Sequence, residues 1–197
     1  MGIRHYIATF QISRVKRKAE LTPFNIPGDL FRVQHLLVLL PAGLRELTLV
    51  KQFLPTISQL FKHADITLLA MPGIQVTDIY PRKGFQIITP GVDQLGWSGL
   101  PKKAFMSVLQ GYNFDMILDM NLEDSHFTSA VLLSFPKSIR IGRGNSLGGP
   151  YYNLEIKTKY LRDERNIYRS ILETLGDLMH KKVQAGSEGA STGLLEE

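Results

Sequence analysis

LLVLLPAGLRELTLVKQFLPTISQLFKHADIT, residues 36–67, changes hydrophobic period twice within one short stretch. It opens with the unbroken apolar run Leu36–Leu40, which has the length of a strand and the pattern of a strand buried on both faces. Pro41–Gly43 then interrupts the run. From Leu44 to Lys62 the apolar residues Leu47, Val50, Leu54, Ile57 and Leu60 recur every three or four positions, which predicts a helix with one apolar stripe. Pro55 falls inside that helix and is expected to kink it or split it near Phe53, because proline removes a backbone donor. Asp65–Ala70 reads as a second strand. Strand, tight loop, helix, strand is the βαβ unit of a parallel sheet.

The alternation continues outward from there. Met71–Gly73 ends the second strand, Ile74–Tyr80 reads as a short helix, and Phe85–Ile88 as a third strand closed by Pro90–Gly91. Pro101–Gln110 reads as a helix with proline in its first turn, where a missing donor costs little. Phe114–Met120 is a fourth strand, and Asp124–Leu133 a helix with Asp124 or Ser125 as its cap. Ser138–Ile141 is a fifth strand, followed by a loop, GRGNSLGGPYYN. Asp163–Val183 is the best helix in the chain, with Ile167, Ile171, Leu172, Leu175, Leu178 and Met179 on one stripe. The expected fold class is therefore α/β: a doubly wound, Rossmann-like, mostly parallel sheet of five or more strands. The expected domain spans residues 31–184, after an N-terminal helix and linker (1–30) and before a small, polar, disordered tail (185–197). Ligands of such sheets bind at the carboxyl ends of the strands. The loops that matter are thus Pro41–Glu46, Met71–Gly73, Asp119–Asp124 and Gly142–Asn153.

A chain of 197 residues with ordinary apolar and charged fractions can bury a core without covalent staples. It has no cysteine, which excludes disulfides, thiolate metal sites and a cysteine nucleophile and fits a cytoplasmic protein. His5, His35, His63, His126 and His180 never pair at metal-ligand spacing, so no metal is expected. GRGNSLGG lacks the Gly-Lys-Ser/Thr ending of a phosphate loop and does not follow a first strand, and no G-x-S-x-G elbow occurs. No cofactor is implied. The net charge of +5 is concentrated: Arg14, Lys16, Arg17 and Lys18 form one cluster, and Lys157, Lys159 and Arg162, with Arg140 and Arg143 upstream, a second. Such clusters favour anionic partners. Aromatic residues do not interleave with them as a nucleic-acid platform requires, so nucleic acid is not expected. Ile3, Tyr6, Ile7, Phe10 and Val15 give the segment Ile3–Leu21 helical periodicity. Two readings of it stay open: a helix packed on the domain or on another subunit, or one lying peripherally on an acidic membrane face. No run approaches the length of a membrane span, and no secretory cleavage site follows the N-terminus.

The stretch Leu36–Thr67 resembles, without a gap, the first βαβ unit of the ADP-heptose–lipopolysaccharide heptosyltransferases (glycosyltransferase family 9). NFDMILDMNL (113–122), Ser125–Leu133, IRIGR (139–143) and DERNIYRSILETLG (163–176) are similar to later family segments in the same order. The resemblance covers about Leu36–Leu178, the N-terminal half of a two-domain enzyme of lipopolysaccharide biosynthesis. It implies a sugar or phosphosugar ligand and hexosyl or heptosyl transfer. The family's Gly-Asp pair falls on Arg45 and Glu46. The family aspartate acts as the base on the acceptor hydroxyl, which makes Glu46 the candidate catalytic residue, one methylene longer. A glutamate in the first turn also suits the helix dipole. Arg45, Arg140 and Arg143 are candidate anion ligands, since a guanidinium grips phosphate or carboxylate in two places; the alternative is that they are surface arginines. Asp119 ends the fourth strand and Asn121 follows it, both candidate ligand residues; Asp119 would orient an acceptor hydroxyl or cap the next helix. The family's second half, which holds the sugar nucleotide, has no counterpart within residues 1–197. Three functions follow: a heptosyltransferase-like ligand- or partner-binding domain that does not transfer sugar alone; the acceptor half of a split inverting transferase completed by a donor-domain partner protein; or a homo-oligomeric interaction module.

Overall fold

The computed structural model describes residues 2–80, 84–143 and 149–188, with side chains described as far as residue 180. Six strands form one sheet, β1 (His35–Leu39), β2 (Asp65–Leu69), β3 (Gln86–Ile88), β4 (Met116–Asp119), β5 (Ile139–Arg143) and β6 (Leu154–Ile156). Every neighbouring pair is parallel, and the order is β3-β2-β1-β4-β5-β6. The expected doubly wound, Rossmann-like sheet is therefore present. The order reverses between β1 and β4, so their following loops diverge and leave a crevice.

Alternate side chains of β1 divide the core. Leu36, Val38 and Leu40 point to one face, where α2 (Leu44–Leu60) and α5 (Glu164–Glu188) cover them with Leu47, Val50, Leu54, Ile57, Ile167, Ile171 and Leu175. Leu37 and Leu39 point to the other, under α1 (Ile3–Lys16), α3 (Lys103–Gln110) and α4 (His126–Leu133), which contribute Ile12, Phe105, Leu109, Phe127, Val131 and Leu132. A strand buried on both faces needs apolar residues at every position, which is what the run Leu36–Leu40 supplies.

The structure corrects or adds to the expectations at four points. Of the two outcomes expected at Pro55, the split does not occur: helix α2 runs from Leu44 to Leu60 through the proline. The proline sits on the exposed side, above exposed Lys51, so the carbonyl it fails to bond can be met by water. Ile74–Tyr80 makes a single turn and no helix, with Ile79 N and Tyr80 N both bonded to Val76 O. It is hemmed between Pro72–Gly73 and Pro81, and a residue before proline disfavours the helical region. Leu154–Ile156, just past the Gly-rich loop, forms the edge strand β6, which no pattern in the sequence marks; three residues are too few to show a period. Finally, Ile3, Tyr6 and Phe10 of α1 face outward, while Ala8 and Ile12 face the domain. Helix α5 extends to Glu188, and residues 189–197 of the expected tail lie outside the described residues, as do residues 144–148 of the Gly-rich loop.

Candidate functional site at the topological switch point

The crevice between the ends of β1 and β4 is lined by Pro41, Ala42, Gly43 and Glu46 from the loop and helix after β1, by Asn121–Ser125 from the loop after β4, and by Met71 from the end of β2. Its volume is about 90 Å³. Small-molecule sites usually enclose about 300–1,000 Å³, so the crevice by itself is smaller than a closed small-molecule pocket. A larger hollow of about 570 Å³ lies at the opposite, amino end of the sheet, among Thr22, Asp115, Ser138 and Asn153. Volume favours that hollow, but topology favours the crevice, and the topology carries more weight: the amino-end hollow is lined by residues already spent on structure. There Asp115 accepts from Gln34 N and His35 N, Ser138 donates to Phe114 O, and Asn153 donates to Thr22 O.

Glu46 stands in the first turn of α2, whose N-cap Gly43 offers no side-chain cap. The Glu46 carboxylate folds back over the Gly43 Cα so closely that a Cβ there would collide with it. It is half-buried, and it has no hydrogen-bond or ion-pair partner among the described residues. Arg45 points away from the crevice and pairs with Glu164 of α5 at 2.9 Å. The candidate base is thus in the crevice and its neighbour is not.

Across the crevice, Asp119 ends β4 with 2% exposure. Its Oδ1 accepts from Asn121 N at 2.9 Å and from Asn121 Nδ2 at 2.7 Å, and its Oδ2 accepts from the Tyr152 hydroxyl at 2.7 Å. Burial pushes its carboxyl pKa above the usual range, and the Tyr152 and Asn121 hydrogen bonds oppose that shift. Asp119 does not cap α4; Ser125 does, accepting from Thr128 N at 2.9 Å. Asp119 is a brace that fixes the turn from which Asn121 lines the crevice. Tyr152 is a member of this site that sequence reasoning missed. It reaches Asp119 from 33 residues away by lying flat on Gly142, where any Cβ would collide with its ring. The glycine of IRIGR was legible; the residue that needs its bareness was not.

The two remaining arginines are elsewhere. Arg140 of β5 points away from the crevice, under α4, fully buried, donating from Nη1 to Leu132 O at 3.0 Å, with Nε and Nη2 unpartnered among the described residues. Burial lowers its pKa. Arg143 ends β5, a strand outboard of the crevice. Behind the crevice, Tyr168 of α5 is buried, its hydroxyl without a hydrogen-bond partner among the described residues, and its pKa is raised by burial first and then by the charge of Glu46.

Family models and curated proteins give no match to the chain. Solved structures do. The chain is similar to the E. coli heptosyltransferase WaaC with ADP, with a TM-score of 0.55, 14% identity, and coverage of 74% of this chain and 47% of that one. It is also similar to the glycosyl transferase family 9 protein from Veillonella parvula, with a TM-score of 0.52, 18% identity, and coverage of 73% and 41%. Its fold is that of the N-terminal part of these glycosyltransferases, and it spans less than half of their length.

Proposed function

We propose that this chain is a heptosyltransferase-like domain that presents the acceptor-side wall of a sugar site and does not transfer sugar by itself. The observation that supports this most is the switch-point crevice: one braced loop, one loop with an unpaired carboxylate, and about 90 Å³ between them. The ligand class is a sugar or phosphosugar, of the kind used in lipopolysaccharide synthesis. Sugar sites of two-lobed proteins lie between lobes, and residues 1–197 supply one lobe.

The unpaired Glu46 carboxylate favours a second reading, in which a nucleotide-holding lobe from outside these residues completes an inverting transferase. Glu46 would then take the proton of the acceptor hydroxyl as that oxygen bonds the anomeric carbon from the face opposite the departing nucleotide phosphate. Purified residues 1–197 should give neither hydrolysis nor transfer with an ADP-sugar. Turnover by this polypeptide alone would overturn the first reading. Turnover that needs an added donor lobe, and falls about 100-fold or more in Glu46→Gln, would establish the second.

A further inference from the structure

We propose that the outward face of α1 docks on an acidic lipid bilayer. Helix α1 is held to the domain by Ala8 and Ile12 and by the contact of His5 and Thr9 with His126, whose ring lies 4.5 Å from that of His5 and 3.0 Å from the Thr9 hydroxyl. The opposite face carries Ile3, Tyr6 and Phe10, which are 74%, 74% and 70% exposed. At 100° per residue these three share one side of the helix, and Arg14 and Arg17 continue the same side one and two turns on. Trp97, 60% exposed, stands beside the helix with the Arg4 guanidinium 5.6 Å above its ring. Three large apolar side chains exposed in a row on a helix that already has its packing face make the kind of patch that marks an interaction surface.

The charge identifies the partner. Residues 3–18 contain Arg4, Arg14, Lys16, Arg17 and Lys18 and no Asp or Glu, so this segment carries the entire formal excess of a chain whose net charge is +5. A second copy would bring the same cations to a helix with no carboxylate to meet them. An acidic bilayer meets both halves of the face, taking the aromatic and aliphatic tips at headgroup depth and the cations at the phosphates. At the C-terminal end of α1, Arg14, Lys18 and Lys137 line a cleft of about 690 Å³ that also holds Glu20, with the underpaired Arg140 behind it; this is the place for a headgroup phosphate. Because His126 directly follows the crevice loop, docking through α1 brings the crevice rim to the membrane surface. The inference stands whether or not the crevice supports transfer.

Co-sedimentation with phosphatidylcholine vesicles, with and without about 30% phosphatidylglycerol, tests it. The chain should bind the acidic vesicles and not the neutral ones, and should be released by salt. Each of Arg14→Gln, Arg17→Gln and Lys18→Gln should weaken partitioning about fivefold, and Tyr6→Ser with Phe10→Ser should abolish it while leaving the circular dichroism spectrum and melting temperature unchanged. No binding to acidic vesicles, equal binding to both kinds, or binding that survives the Tyr6/Phe10 pair would overturn the proposal. So would a concentration-dependent dimer, seen by light scattering and lost in those variants, with no vesicle binding.

Discussion

The two loops that face each other across the switch point are built on opposite principles. The loop after β4 is tied at both ends: three hydrogen bonds converge on Asp119, and Ser125 closes the start of α4. The loop after β1 has no such ties. Gly43 begins α2 without a side-chain cap, Arg45 leans away to Glu164, and the Glu46 carboxylate is unpaired. One side of the crevice is scaffold, held by buried polar groups that are costly to leave unsatisfied. The other leaves its carboxylate without a hydrogen-bond or ion-pair partner among the described residues. The two sides even use glycine alike and to different effect, since a Cβ on Gly142 meets a pinned tyrosine ring and one on Gly43 meets the far end of a flexible glutamate.

Substitutions sharpen this contrast. The largest effect should come from Asp119→Leu, which leaves the Tyr152 hydroxyl and the Asn121 donors without an acceptor in a buried setting. A loss of about 3 kcal/mol in denaturant unfolding is expected. A loss below about 1 kcal/mol would show that the brace is not a brace. Gly142→Ala should follow at about 2 kcal/mol, because the Tyr152 ring has nowhere to move without breaking its bond to Asp119.

A pH series probes the same brace. The folded-state pKa of Asp119 is raised by burial. Between its unfolded value, about 3.9, and that raised value, the folded chain binds the extra proton, so the contribution of Asp119 to stability falls as pH rises through the window and is level above it. The melting temperature of the wild type minus that of Asp119→Asn should therefore decrease from acid pH toward neutrality. A difference that rises with pH would reverse the assignment.

The open loop should be far more tolerant. Gly43→Ala is expected to cost about 0.5 kcal/mol, chiefly from alanine's poorer capping, while the Glu46 side chain swings aside. An effect as large as that of Gly142→Ala would remove the distinction between the two sides. Arg45→Ala should be smallest, below about 0.5 kcal/mol, since its pair with Glu164 is solvent-exposed on the arginine side.

The run Leu36–Leu40, the stripe of α2 and the stripe of α5 were legible because burial on a sheet or helix imprints a period on neighbouring residues. The site was half legible. Glu46 and Asn121 lie where the strand–loop pattern places them, at carboxyl ends. Arg140 does not, because a strand alternates faces and its register turned that side chain under α4, where it meets the carbonyl of Leu132. The N-terminal helix carried the opposite lesson: its most periodic apolar residues are the ones left outside, and only the packing of Ala8 and Ile12 against the domain shows which face is free.

By itself, then, the sequence determined the order and type of strands β1–β5 and helices α1–α5, since those follow from local period and turn chemistry, but not the turn at Ile74–Tyr80 or the short edge strand β6. The tertiary structure alone decided the strand order β3-β2-β1-β4-β5-β6, the crevice it opens and the partnership of Asp119, Tyr152 and Gly142. These are contacts between residues far apart in the chain, and no local pattern records which distant side chain will fill the space beside a bare glycine.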